Sequence, residues 1–231
     1  MEANKPVVSV EVVGDLVCPW CWIGKRKLEK AMESLSDRFQ FHVRWSPYLL
    51  RPDIPVQGIP VEDEDVSPAK KKTEQKRAKR AGDEVGLDLT FSSPLIPCTA
   101  QSHALVRLAG TLDTAGHPSL QSSVVERIFM ANLTEGKSLT KSDLLTIATE
   151  AGLDADDVKH YITLDSNLND VRATASDWTK RGVTGVPCFY INGQRMFCGA
   201  QDVEMFKRMV CMAAQKSKSS AQNAAQQAAQ K

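Results

Sequence analysis

The sequence predicts an α/β core interrupted by an all-helical insertion. Three observations carry this prediction. A Val-rich strand pattern at residues 7–17 runs straight into a helical one, and strand patterns return at 39–50 and again at 186–198. Between them, residues 99–163 repeat at helical spacing without a strand-like break. The expected boundaries are 5–66 and 168–214 for a discontinuous core, 67–167 for the helical insertion, and 215–231 for a disordered tail.

In chain order, Val8, Val10 and Val12 fall on one side of the first strand and Ser9, Glu11 and Val13 on the other. This is the pattern of a buried, central strand. Ile23, Leu28, Met32 and Leu35 follow at near-helical spacing. Phe39, Phe41, Val43 and Trp45 then alternate with Gln40, His42, Arg44 and Ser46 as a second strand. The segment 51–68 holds Pro52, Pro55, Pro60 and Pro68, which is loop chemistry. Residues 69–88 are rich in Lys and Arg, partly balanced by Glu74, Asp83 and Glu84, and read as a solvated helix face.

Helices are expected at 99–115, 120–133, 140–151, 155–163 and 169–181. Thr140 and Asp154 each stand three residues before an acid, Asp143 and Asp157, as good N-caps do. Gly152 and Gly182 suit helix C-termini. Residues 186–191 and 194–198 form a hairpin about Asn192-Gly193. A last helix spans 202–212, with Asp202 as its cap. The tail from Lys216 has no large apolar side chain to bury and is expected to be disordered or a frayed continuation of that helix.

Composition narrows the function classes. The chain has 231 residues, 42% hydrophobic and 25% charged, which suits a globular protein with a substantial core. A net charge of +1 gives no footprint for nucleic acid or for an anionic membrane. No apolar run reaches the roughly 18 residues of a membrane span, and residues 1–17 lack the features of a signal peptide. A cytoplasmic location is therefore expected, with no membrane and no nucleic-acid partner.

Six cysteines are present: Cys18, Cys21, Cys98, Cys188, Cys198 and Cys211. Only Cys18 and Cys21 form a close pair, and no second Cys or His pair stands at zinc-site spacing, so no metal is expected. The pair lies where a strand ends and a helix begins. The first sulfur then lies near the exposed N–H groups and positive end of the helix, which favours thiolate. Such centres have thiol pKa values of about 3.5–7.5, against ~8.5 for a free cysteine. Cys18 is the expected nucleophile and the more exposed sulfur, and Cys21 the resolving thiol. Pro19 suits a first helical turn, and Trp20 brings bulk without charge.

The run from Asp15 to Arg26, with Cys18-Pro19-Trp20-Cys21 inside it, resembles the active-site opening of DsbA-like thioredoxin-fold proteins of the FrnE-type branch. Trp45 to Pro52, Thr99 to Leu108 with His103, Gly182 to Pro187, and Gly199-Ala200-Gln201 are similar to later segments of that branch, in its order. The resemblance implies a thioredoxin fold with an inserted helical domain. It also implies a cis Val186–Pro187 bond facing the cysteine pair, where the Val186 backbone pairs with substrate. Pro19, Trp20, Val186 and Pro187 are the substrate-binding residues on this reading. Family members often have Asn-Thr where this chain has Cys98-Thr99, so no role of that Asn carries over.

Cys188 follows the expected cis proline and opens the question of a second redox pair with Cys198. A two-residue turn at Asn192-Gly193 sets Cys188 opposite Phe197, whereas a three-residue turn sets it opposite Cys198. His103, on an apolar helix face, reads as a hydrogen-bonded structural residue.

The function expected is thiol–disulfide exchange on a disulfide-containing protein or small molecule. No cofactor is expected beyond glutathione as a redox partner. In a cytosolic thiol pool the expected work is reduction, isomerisation or stress response rather than oxidation. Two alternatives use the same scaffold. One is a glutathione-dependent kappa-type transferase or isomerase, whose relatives typically carry Ser at the position of Cys18. The other is a peptide-binding module without catalysis. The oligomeric state is left open.

Overall fold

The computed structural model describes residues 5–113 and 120–228, with side chains through Lys216. The chain opens with β1 (Val7–Gly14), α1 (Pro19–Glu33), β2 (Gln40–Pro47) and the short β3 (Ile59–Pro60). Then come α2 (Pro68–Asp83), the short β4 (Leu95–Ile96), α3 (Ala100–Leu112), α4 (Leu120–Leu133), α5 (Lys141–Glu150) and α6 (Ala155–Thr163). It closes with α7 (Asp165–Lys180), β5 (Cys188–Ile191), β6 (Gln194–Cys198) and α8 (Val203–Ala228).

The main sheet has the order β2-β1-β5-β6. Strand β1 runs parallel to β2, with Val10 opposite Val43 and Val12 opposite Trp45. Parallel neighbours need a crossover, and α1 supplies it. On its other side β1 pairs antiparallel with β5, which turns back as β6. A βαβ unit followed by a hairpin and a closing helix is thioredoxin-fold topology. Val8, Val10 and Val12 are buried, as their alternation predicts, and β1 is central.

Most local signals act as expected. Thr140 accepts from Asp143 N–H while the Asp143 carboxylate accepts from Thr140 N–H, a complete capping box. Asp154 accepts from the N–H groups of Asp156 and Asp157. Asp202 accepts from Met205 N–H at 2.7 Å at the start of α8. Two differences have simple causes. Strands β3 and β4 pair with each other but are two residues long, too short to show a period. Helix α8 continues to Ala228, which takes the second of the two readings of the tail, disorder or a helical continuation; that segment is built largely of the strong helix formers Ala, Gln and Lys. Residues 229–231 lie outside the described residues.

One continuous cluster of buried side chains joins sheet and insertion, from Val10 and Ile23 through Leu105 and Phe129 to Ile147. The insertion also reaches the sheet with polar groups. Gln121 on α4 accepts from the Trp45 N–H on edge strand β2 at 2.9 Å, meeting a donor no strand pairs. Glu126, also on α4, accepts from Trp22 Nε1 at 3.0 Å and from Lys25 Nζ at 2.8 Å, and pairs with Arg26. Lys25 is buried, with Glu29 as its second partner.

Replacing Glu126 by Ala removes an ionic acceptor from one buried and one half-buried cation and from an indole N–H. The expected cost is about 2–3 kcal/mol of unfolding free energy, with Glu29 still holding Lys25. Urea unfolding of Glu126→Ala against wild type measures it, and a change within about 0.5 kcal/mol would show that this strap carries no weight.

Candidate active site

The close cysteine pair sits at the start of α1. Cys18 is the N-cap, with extended backbone, and Pro19 takes the first helical position, where its missing N–H costs nothing. Asp15 O accepts from Cys18 N–H at 3.1 Å, and Cys18 O accepts from Cys21 N–H at 3.0 Å. The turn between strand and helix is thus closed by backbone bonds. Gly14 lets the pair settle on the sheet. A Cβ there would lie 3.1 Å from Cys21 Sγ and 3.0 Å from the Trp45 ring.

The two sulfurs differ sharply. Cys21 is wholly buried, and its thiol is hydrogen-bonded to Cys18. Burial pushes the Cys21 thiol well above its usual range, and the bond to Cys18 and its charge push the same way. The Asp15 backbone acts in the opposite direction. Cys18 retains 6% exposure, less than its position at a helix start suggests. Its opening is not to bulk solvent but into a groove of about 600 Å³.

That groove lies between the core and the insertion. Pro19, Trp20 and Val186 line it, with Lys70 and Ala78 of α2 and Phe91 on the far wall. Arg77 of α2 stands 5.1 Å over the Trp20 ring, so the basic helix covers the motif as well as facing solvent. Arg51 and Lys71 on the groove wall both pair with Glu64. Val186 O lies 3.8 Å from Cys18 Sγ, and the Val186–Pro187 bond is cis. Pro187 itself is buried rather than on the groove wall: it packs toward Gly24 of α1, where a Cβ would meet its ring at 3.1 Å.

Directly behind the site, Asp15 and His103 are both buried. Asp15 Oδ2 accepts from Leu50 N–H at 2.8 Å, and His103 Nε2 lies 3.4 Å from Asp15 Oδ1 and 3.2 Å from Tyr48 O. His103 is therefore hydrogen-bonded in place, behind the cysteine turn rather than on the groove. Asp15 was legible only as part of the motif; its burial and its partner from α3 appear in three dimensions.

The hairpin decides the remaining cysteines. Ile191 pairs with Gln194 across a two-residue turn, and Tyr190 pairs with Arg195. A bulge then passes over Met196, so Phe189 meets Phe197 and Cys188 meets Cys198. The turn is thus two residues long, yet the cysteines face each other, an outcome neither turn length alone predicts. Cys188 and Cys198 are joined as a disulfide, and Cys98 and Cys211 are free and half-buried. Among the described residues no group of three or more His, Cys, Asp or Glu is placed to hold a metal ion. Nor is any helix among them long and apolar enough to cross a membrane.

Residues 9–210 match the family of DSBA-like thioredoxin domains. The chain belongs to that family. It is 27% identical over 207 residues to the uncharacterized protein YwbO of Bacillus subtilis, covering 88% of this chain and 96% of that one. Its fold is similar to that of the probable DsbA oxidoreductase SCO1869 of Streptomyces coelicolor, at 24% identity and a TM-score of 0.77 over 89% of each chain. It is also similar in fold to the cytosolic disulfide reductase DsbM of Pseudomonas aeruginosa, at 17% identity and a TM-score of 0.61 over 93% of this chain and 98% of that one. DsbM has also been solved with GSH.

The buried Cys21 makes a pH prediction. An unfolded cysteine ionises near ~8.5, whereas folded Cys21 holds its proton to higher pH. Below that pH both states are protonated and nothing changes; above it, the unfolded state gains by ionising. The reduced protein should therefore lose stability as pH rises past about 8.5, by up to about 1.4 kcal/mol per pH unit from this thiol. Urea unfolding of reduced wild type and Cys21→Ser between pH 7 and 10 isolates the effect. Parallel pH curves for the two proteins would contradict it.

Proposed function

We propose that this DSBA-like chain is a thiol–disulfide oxidoreductase in which Cys18 attacks a substrate disulfide and Cys21 resolves the product. The observation that carries this reading is the asymmetry of the pair. Cys18 stands at a helix start and opens to a groove, while Cys21 is hydrogen-bonded behind it and sealed from solvent. Helix N-termini favour anions, and only a thiolate attacks a disulfide.

The Cys18 thiolate attacks one sulfur of the substrate, forming a mixed disulfide and releasing one substrate thiolate. Cys21 then loses its proton, attacks the Cys18 sulfur, closes the Cys18–Cys21 bond and releases the second thiolate. Two electrons pass from the protein dithiol to the substrate disulfide. Val186, whose carbonyl faces Cys18, is suited to pair with an extended substrate backbone beside the reacting sulfur. Pro19 and Trp20 form the adjoining groove wall, and Pro187 holds Val186 in position by packing on α1.

We read the working direction as substrate reduction in the cytoplasm, with glutathione as the electron source. A cytosolic thiol pool at roughly −220 to −320 mV favours that direction. The fold neighbour DsbM is a cytosolic disulfide reductase that has been solved with GSH, and the groove here has the volume of a small-ligand site. Lys70 on the groove wall is a suitable contact for a glutathione carboxylate.

Insulin reduction coupled to glutathione tests the mechanism. Cys18→Ser should abolish turnover. Cys21→Ser should still attack the substrate disulfide through Cys18 and accumulate a mixed disulfide there, seen by intact mass under non-reducing conditions. Full activity in Cys18→Ser would rule the mechanism out. Turnover of glutathione with an aromatic electrophile that survives loss of Cys21 would point to the transferase instead.

A further inference from the structure

Away from the Cys18–Cys21 turn, a second pair of sulfurs meets at the open end of the β5–β6 hairpin. Its two members are as unlike as the first pair. Cys188 has no exposed surface and packs among Val13, Trp178 and Val183. Cys198 is half-buried, and Arg195 Nη2 lies 3.2 Å from its sulfur. Arg195 Nη1 donates to Gly182 O at 3.1 Å, which fixes the guanidinium in that position. A half-buried cysteine beside a held cation, backed by a fully buried one, is the arrangement of an attacking and a resolving cysteine.

We propose that Cys198 and Cys188 form a second reversible dithiol–disulfide couple, distinct from Cys18–Cys21, that is oxidised by low-molecular-weight disulfides such as glutathione disulfide. In the reduced form the Cys198 thiolate, stabilised by Arg195, attacks one sulfur of the oxidant. A mixed disulfide forms on Cys198 and one thiolate leaves. Cys188 gives its proton to solvent, attacks the Cys198 sulfur, closes the Cys188–Cys198 bond and expels the second thiolate. The protein loses two electrons, and one oxidant disulfide becomes two thiols. Reduction reverses these steps, with the incoming thiol entering at Cys198, the less buried residue of the two.

The couple is placed to report on the groove. Pro187 O accepts from Gly199 N–H at 2.6 Å, so the residues flanking the two cysteines are bonded to each other. Val186, whose carbonyl faces Cys18, precedes that pair directly. Oxidation adds a covalent tie directly after the Gly185-Val186 segment that lines the groove, and reduction leaves the strand that follows it to its hydrogen bonds.

The test uses the full-length Cys18→Ser/Cys21→Ser chain, which removes the first pair and so does not depend on the proposed exchange mechanism. The chain is equilibrated at graded ratios of reduced to oxidised glutathione, quenched in acid, denatured and alkylated with a mass tag. Four tags are expected at the reducing limit and two at the oxidising limit, with the lost pair mapping to the peptides of Cys188 and Cys198. Wild type, run beside it, should pass from six tags to two, because all six cysteines are then present. Arg195→Ala should slow oxidation several-fold at pH 7. A constant tag count in both proteins, a lost pair mapping to Cys98 and Cys211, or a stable glutathione adduct on Cys198 that never closes would overturn the proposal. Should the double variant fail to fold, Cys188→Ser/Cys198→Ser decides the point: it is expected to lose only two tags between the limits, where wild type loses four. Equal losses in the two would overturn the proposal.

Discussion

The start of α1 is held from two sides at once, and the rest of the molecule is arranged around that constraint. On one side the cysteine turn rests on β1, where Gly14 leaves room for the Cys21 sulfur. On the other, Glu126 of the insertion gathers Trp22, Lys25 and Arg26 from the helix's first two turns. A buried lysine is costly without an ionic partner. Here that requirement ties the inserted helices to the helix that Cys18 caps. The ring of Trp22 stacks on Phe129 of the same inserted helix, so polar and apolar contacts act at one place.

This explains why the site is a groove rather than an exposed turn. A thioredoxin-type sheet alone would leave a cysteine at the start of its first helix open to solvent. The insertion adds α2 and the loop around Phe91, which form the far wall, and Arg77 covers Trp20. Cys18 is left with a small opening into a space suited to a ligand of limited size. Asp15 and His103 close the back of the same turn, joining the end of β1 to α3 and to the backbone at Tyr48 and Leu50. Core and insertion therefore share both walls of the site, in keeping with the single cluster of buried side chains that runs through them.

The hairpin shows how a small backbone irregularity changes chemistry. One residue passed over at Met196 shifts every pairing beyond it, which brings two sulfurs together next to the cis-proline loop that faces Cys18. The same shift places Phe189 on Phe197, and both rings pack on Phe206 of α8. The aromatic cluster gains from the shifted register, which gives the bulge a packing reason independent of the cysteines.

Much of this was legible in the sequence, because local physics was enough to write it there. Alternation in Val8, Val10 and Val12 marked the central strand, and Thr140 with Asp143 marked a helix start. Cys18-Pro19-Trp20-Cys21 marked the turn between strand and helix. These signals depend on neighbours within a few residues. The burial of Asp15 against His103, the strap at Glu126 and the covering of Trp20 by Arg77 were not legible, and the pairing of Cys188 with Cys198 was legible only as one of two open registers. Each depends on residues brought together across the fold, or on a bulge that leaves no mark in composition. By itself, then, the sequence determined the elements, their order and the place of the close cysteine pair. Only the tertiary structure decided how far that pair is enclosed, what stands against it and which other sulfurs meet, because enclosure and contact belong to the packing of distant segments.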